Sequence, residues 1–310
     1  MRSAFFTPAV ISSFFEAHVV SENGEPILDP LRVGARGGGM AITAGIKTYV
    51  RVEPKSGPIS IEVRINGEPS DAKTTRAAVS MVLERFGITD GLRIIVSHRL
   101  DVPTGAGFGT SASGAMGAAL ALSAALGKPL PIVEASRIAH VADVVSLTGL
   151  GTAEGLVAGG IGLVTEPGAL WIGRFERIPF NRSLYVVSLY FGPIEKSSIL
   201  KSPDILERVN KVGAETMRRV MADPRPETLL REARRFAEIS GIGNRELLSI
   251  ADEMITAGAI GASQNMIGKA VHAIVHKKRL PAVIKVASEY GGSLIVARIY
   301  DGGPRPLVMV

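Results

Sequence analysis

The chain has 310 residues, 46% hydrophobic side chains, no cysteine and a formal net charge of +6 at pH 7. That length and apolar content give a large buried core and argue for two domains, while the missing cysteines exclude a disulfide-stapled fold and a thiolate metal site and fit a reducing compartment. Basic residues are scattered and aromatics are only 5%, which argues against a nucleic-acid interface and leaves a mild attraction for small anions.

In chain order, Met1 to Pro8 carries one basic residue and a short apolar patch, too short for a signal peptide, so a cytoplasmic location is expected. Leu31 to Gly39 is a Gly-rich loop holding Arg32 and Arg36, whose planar guanidinium groups suit a carboxylate. It leads into a long strand from Met40 to Val52. Ile59 to Ile65 alternates and ends at Asn66-Gly67, a turn signal. Asp71 is placed to cap a helix reaching Phe86. Leu92 to Ser97 reads as a strand, and the uncharged stretch from Val102 to Gly127 as a Gly-rich loop followed by a helix capped by Thr110 or Ser111. Pro103 and the glycines break that stretch, so a buried helix is expected and a membrane span is not.

Pro131 starts a helix whose apolar period takes Ile132, Ala135, Ile138, Ala139, Ala142 and Val145 and leaves His140 and Asp143 off the stripe. A Gly-rich turn from Thr148 to Gly155 follows, then strands at 161–165 and 169–175. A boundary near Pro179 to Arg182 divides the chain into 1–180 and 181–310. The second part opens with a strand at Leu184 to Phe191 and continues with helices at 203–222, 226–240 and 244–257. Ser263, Gln264 and Asn265 can cap a following helix, on which His272 and His276 stand four apart. That spacing suits a metal, but no carboxylate stands beside it. Gly291 to Tyr300 and Pro306 to Val310 read as a closing hairpin.

The segment from Asp101 to Ser113 carries the clearest chemistry. Strand, Gly-rich loop and helix follow one another, and the first turn of a helix offers unpaired N–H groups and a partial positive charge. Glycines let the backbone approach a ligand, and the hydroxyls of Thr110, Ser111 and Ser113 can reach phosphate oxygens or a metal. A tight turn entering a buried helix is the plain alternative. A Walker P-loop is excluded, because no G-x-x-x-x-G-K-[ST] string exists. Gly109-Thr-Ser111-Ala-Ser113 misses a serine-hydrolase elbow only by its last glycine, so Ser111 or Ser113 as a nucleophile stays open.

Pro103-x-x-x-Gly107-Phe108-Gly109-Thr110-Ser111-Ala112 resembles the phosphate-binding motif of the GHMP kinases, and within that superfamily the chain most resembles the archaeal pantoate kinases. The resemblance implies an α+β architecture with an N-terminal GHMP domain, a C-terminal ferredoxin-like domain and a site between them. It implies ATP and Mg²⁺, no nucleic-acid or membrane partner, a homodimer as in many relatives, and phosphorylation of the pantoate hydroxyl toward coenzyme A. Mevalonate, homoserine and shikimate are the alternative acceptors, and a non-catalytic ligand-binding protein is a further reading. By the same resemblance Pro103, Gly105, Gly107, Gly109, Thr110, Ser111, Ala112 and Ser113 hold the nucleotide. Ser111 and Asp143 hold the metal, and His18, Arg32, Arg36 and Ser263 meet the acceptor. Asp143, Thr152 and Glu154 are the catalytic candidates. Thr152 falls where the family carries an Asp base, and Glu154 is the nearby substitute.

Overall fold

Long β-branched and aromatic runs near the start of the chain set up a two-sheet architecture. The computed structural model describes residues 1–21, 23–192, 203–266 and 268–308. Strands β1 (Arg2–His18) and β2 (Gly34–Pro58) form an antiparallel ladder. Beyond β2 lie β5 (Asp90–Leu100), β3 (Ser60–Ile65, parallel to β5) and β4 (Glu68–Pro69). On the far side of β1 is β12 (Arg305–Pro306), while β6 (Ile161–Glu166) pairs with β2 and with β7 (Arg174–Ile178).

One face of this sheet carries α1 (Lys73–Arg85), α2 (Thr110–Ala125) and α3 (Ile132–Val145) over a core that includes Val50, Val63, Val82, Ile94 and Met116. Helix α2 is buried nearly all round, as its Ala-rich composition requires. Its backbone lies so near β2 that a Cβ at Gly117 would stand 2.4 Å from Thr48 Oγ1. A short helix α4 (Ala153–Ala158) leads into β6.

The second sheet runs β11-β8-β10-β9, antiparallel throughout: β8 is Leu184–Gly192, β9 Gly261–Gln264, β10 Lys269–His276 and β11 Ser293–Arg298. Helices α7 (Arg245–Thr256) and α8 (Leu280–Ser288) bury Ile250, Met254 and Val283 with Val187 and Val271 of this sheet. Helices α5 (Pro203–Ala222) and α6 (Pro226–Ser240) pack against β1. There Phe236 meets Phe14 and Phe15 edge-on at 6.2 and 6.0 Å. Asn210 also serves as a surrogate strand, accepting from Ala17 N at 2.8 Å and donating to Ala17 O at 2.9 Å. One apolar cluster therefore joins β1, β2 and β6 to β8, α5 and α6.

Several sequence expectations are corrected. Residues 269–276 form β10 and not a helix, because Val271, Ile274 and Val275 are buried between neighbouring strands and α7. Ser263 and Gln264 are accordingly strand residues of β9 rather than caps. Ala72, in the left-handed region at φ 38°, precedes α1 in place of an Asp71 cap. Gly109 at φ 62° precedes α2, so Thr110 and Ser111 lie inside its first turn. The expected strand at 169–175 begins only at Arg174, since Trp171 turns at φ 74°. The closing hairpin does not form: β11 joins β8 and β12 joins β1. Ile267 and residues 309–310, which belonged to two of these expectations, lie outside the described residues. Among the described residues no helix is long and apolar enough to cross a membrane.

Candidate active site

The Gly-rich loop leaves β5 at Leu100 and is pinned at both ends. Asp101 N–H donates to Gly45 O at 2.9 Å, and Lys47 Nζ donates to Asp101 Oδ1 at 3.0 Å. Phe108 is buried and its carbonyl accepts from Val10 N at 3.1 Å. Between these anchors Gly105, Gly107 and Gly109 adopt φ of 71°, 77° and 62°, a region that penalises a Cβ. Ser113 N–H bonds Gly109 O at 3.0 Å, so the amides of 110–112 precede the first closed turn of α2. That turn contains no acidic residue of its own. The head of α2 is thus suited to an anion.

The hydroxyls there divide by role. Ser111 Oγ donates to Asp143 Oδ1 at 2.7 Å, and Thr148 Oγ1 donates to the same oxygen at 2.7 Å. Ser113 instead turns into the core, its Oγ 2.8 Å from Pro8 O, to which it donates, and 2.8 Å from the Thr7 hydroxyl. Its expected role toward phosphate is corrected on that ground: the hydroxyl is fully buried and committed to β1.

Asp143 and His140 are also buried, contrary to the apolar stripe that set them on an outer face. Helix α3 packs on α2 with one side, and its other side is covered by the turn 148–152 and by Val33. His140 Nε2 lies 2.9 Å from Val33 O. Burial pushes the His140 imidazole below its usual pKa, partly opposed by that carbonyl and by Asp143. Gly149 roofs the Asp143 carboxylate so tightly that a Cβ there would fall 2.1 Å from Oδ2.

A cavity of about 980 Å³, counting its open mouth, is lined by β1, β2, β6 and β7, the Gly-rich loop, the turn before α4 and Met266. Its walls include Gly107, Gly109, Gly149, Thr152, Arg36 and Ser12. Arg36 is held by an ion pair of 3.3 Å with Glu16 Oε2. Glu154 follows Thr152 on α4. It is buried, and its carboxyl oxygens have no partner beyond its own backbone amide. Burial pushes its pKa up to about 7.

Three expected acceptor contacts do not reach the cavity wall. His18 pairs with Glu16 at 3.1 Å, Arg32 is exposed beside Asp29 at 3.7 Å, and Ser263 is buried in β9 opposite His272. The His272–His276 metal reading fails as well, since four steps along a strand set the rings about 13 Å apart.

For Mg²⁺ the donor set is one carboxylate, Asp143, with one hydroxyl, Ser111, beside the anion-ready helix end. That fits a cation held chiefly by phosphate oxygens and water. No group of three His, Asp or Glu side chains able to hold a metal without such help exists among the described residues.

The sequence reading missed Ser12 and a buried hydrogen-bond chain, Ser13–His272–Asn265, under the Gly-rich loop. Two adjacent serines inside an otherwise apolar strand were the available signal.

Comparison with known proteins bears on this geometry. Residues 73–153 match the family described as GHMP kinases N terminal domain, a stretch running from α1 to the start of α4. A pantoate kinase of Thermococcus kodakarensis is 31% identical over 302 residues, 97% of this chain and 96% of that protein. A pantoate kinase of Methanocaldococcus jannaschii is 28% identical over 299 residues, covering 95% and 99%. A solved structure titled as a phosphotransferase related to the CoA biosynthesis pathway superposes with a TM-score of 0.86 at 29% identity, covering 99% of this chain and 98% of that one.

Proposed function

We propose that this chain, which belongs to the pantoate kinase family of the GHMP kinases, transfers the γ-phosphoryl group of ATP to the hydroxyl of pantoate and yields 4-phosphopantoate on the way to coenzyme A. Residues 1–180 serve as the GHMP domain, to whose sheet β12 returns, and 181–310 otherwise as the ferredoxin-like domain. The single observation that carries the reading is the Ser111–Asp143 pair at the head of α2, roofed by Gly149, which lines the same cavity as Gly107, Gly109 and Arg36.

The amides of Thr110, Ser111 and Ala112 and the bare backbone of Gly107 and Gly109 take the triphosphate. Pro103 and Gly105 shape the approach to them. Ser111 Oγ and Asp143 would hold Mg²⁺, whose charge offsets that of the phosphates when bound. Arg36, braced by Glu16, takes the pantoate carboxylate as a planar fork. The acceptor hydroxyl oxygen attacks the γ-phosphorus in line while the bond to the β–γ bridging oxygen breaks, releasing ADP. Thr152 has no ionisable group, and Glu154 is buried off the cavity wall, which corrects its expected role as base; the hydroxyl proton passes to a phosphate oxygen as the bond to phosphorus forms. Phosphoryl transfer depends mostly on positioning and charge, because its transition state is loose, and it tolerates Thr152 in place of an Asp.

A hydrolase reading loses its support in the same geometry. Ser111 is bonded to Asp143 and Ser113 to Thr7 and Pro8, and no hydrogen bond from either serine to a histidine exists among the described residues. Ser111→Ala tests the kinase reading: turnover should fall about 100-fold, the scale for losing one electrostatic stabiliser. Turnover at the wild-type rate would remove Ser111 from the mechanism.

A further inference from the structure

Beneath the Gly-rich loop runs a chain of hydrogen bonds with no role in the mechanism above. Ser13 Oγ lies 2.9 Å from His272 Nε2, His272 Nδ1 lies 2.9 Å from Asn265 Oδ1, and Asn265 Nδ2 donates to Ala106 O at 3.0 Å. All three side chains are fully buried. The direction of the chain follows from its end. Ala106 O is a carbonyl and only accepts, so the Asn265 amide must present Nδ2 to it and Oδ1 to the imidazole. Oδ1 also only accepts, so His272 carries its proton on Nδ1. Nε2 is then an acceptor, and it takes the Ser13 O–H.

The strand geometry is built to supply the first link. The β1–β2 register passes from Ser12↔Gly39 to Phe14↔Gly38, so Ser13 is the extra residue of a β-bulge. A bulge re-aims one side chain, and here it sends a hydroxyl into the core toward β10. The same bulge frees Ser12 O, which accepts from Met266 N at 2.9 Å. Met266 is thereby seated on β1, and the Gly-rich loop lies directly on it and on Gly268. A Cβ at Gly107 would stand 2.8 Å from Met266 O, and one at Gly268 would stand 2.4 Å from Ala106 O. Gly107, which follows Ala106, lines the cavity.

We infer that Ser13, His272 and Asn265 are positioning residues that set the height of the Gly-rich loop for the triphosphate, relaying the second sheet and the β1 bulge to the backbone at Ala106–Gly107. The inference rests on the kinase reading. A hydrolytic Ser-His-Asn triad is not an option, because Ser13 is sealed from solvent and from the cavity wall. His272 has no ionisable neighbour in the chain, and it works as a neutral ring whose tautomer is dictated by the Ala106 carbonyl.

The test uses the full-length protein. Asn265→Ala and Ser13→Ala should weaken ATP binding, read by calorimetry, by ~10-fold or more, the scale of one broken buried hydrogen bond. The KM for pantoate should stay within about 2-fold, and Ser13→Thr, which keeps the hydroxyl, should restore ATP binding. Nitrogen-15 NMR of the wild-type imidazole should find His272 as the Nδ1–H tautomer and uncharged from pH 5 to 8. Folded variants with unchanged ATP affinity would overturn the inference, as would equal shifts for both substrates. If the alanine variants do not fold, an Nε2–H tautomer or a titrating His272 still overturns it. A wild-type protein that binds no ATP would instead bring down the kinase reading, and this inference with it.

Discussion

Arg36 and Glu154 show how differently two charged side chains came into view. Arg36 stands in a run of glycines, so its position in an open wall could be read from sequence, and its brace Glu16 lies across the β1–β2 ladder from it. Arg32, four residues earlier, has the same chemistry and a similar setting, yet it faces solvent beside Asp29. No pattern in the chain separates the two, because the difference arises where β2 begins at Gly34. Replacing Arg36 by Ala should raise the KM for pantoate by ~10-fold or more and leave the KM for ATP nearly unchanged, the signature of lost binding at one substrate. A rise in the ATP value instead would assign Arg36 to the triphosphate. Ser113 makes the converse point. Its place in the motif drew it toward phosphate, whereas the rotation of α2 turns it onto Thr7 and Pro8. One step of 100° separates Ser111 from its neighbours on a helix, and sequence spacing alone does not say which side the ligand occupies.

At the scale of elements, the strand, loop and helix around residues 90–125 were legible, because glycine placement and β-branching there agree with the fold. The helices at 203–222 and 226–240 were legible too, with Pro203 and Pro226 at their first positions. What failed was the stretch after Gly268. Ala-Val-His-Ala-Ile-Val is a continuous apolar run, and such a run reads equally as a buried helix or a buried strand until neighbours are known. Pairing of β10 with both β8 and β9 decides it. In the turn between α3 and α4 the sequence drew attention to Thr152 and Glu154, whereas the part played by Gly149 lies in contact. Gly149 packs on the Asp143 carboxylate with no room for a methyl group. Gly149→Ala should therefore displace that carboxylate and reduce kcat about 100-fold, the scale for a misplacement of ~1 Å, while the protein stays folded. Near-normal kcat in a variant of normal melting temperature would show that the placement of Asp143 is not critical.

Across the whole molecule, one apolar cluster joins the two sheets, so the cavity is held between parts that are far apart in sequence. The same burial leaves four side chains that couple folding to pH near neutrality, the lowered His140 among them. His98, between Thr48 and Thr75 hydroxyls at 2.9 and 3.0 Å, is lowered to about 4 and His272 to about 3, both by burial. Each refuses a proton that the unfolded chain takes up below 6.5, so each adds stability as pH rises toward 6.5. Glu154 runs the other way. Raised by burial from 4.5 to about 7, it keeps in the folded state a proton that the unfolded chain releases, and stability falls as pH rises across that window. Three histidines outweigh one carboxyl, so the melting temperature should climb from pH 5 to about 7 and then level off, and Glu154→Gln should steepen the climb. A melting temperature that falls between pH 5 and 6.5 would contradict this balance.

The central claim is tested most directly by following ADP release from ATP and Mg²⁺ against pantoate, mevalonate, homoserine and shikimate in turn. Release with pantoate alone is the predicted result, and it would show that a chain with Thr152 in place of the Asp base still turns over. Release with a different acceptor would keep the phosphate site and contradict the acceptor assignment. No release with any of the four would contradict the kinase reading and leave a protein that binds its ligands without reaction.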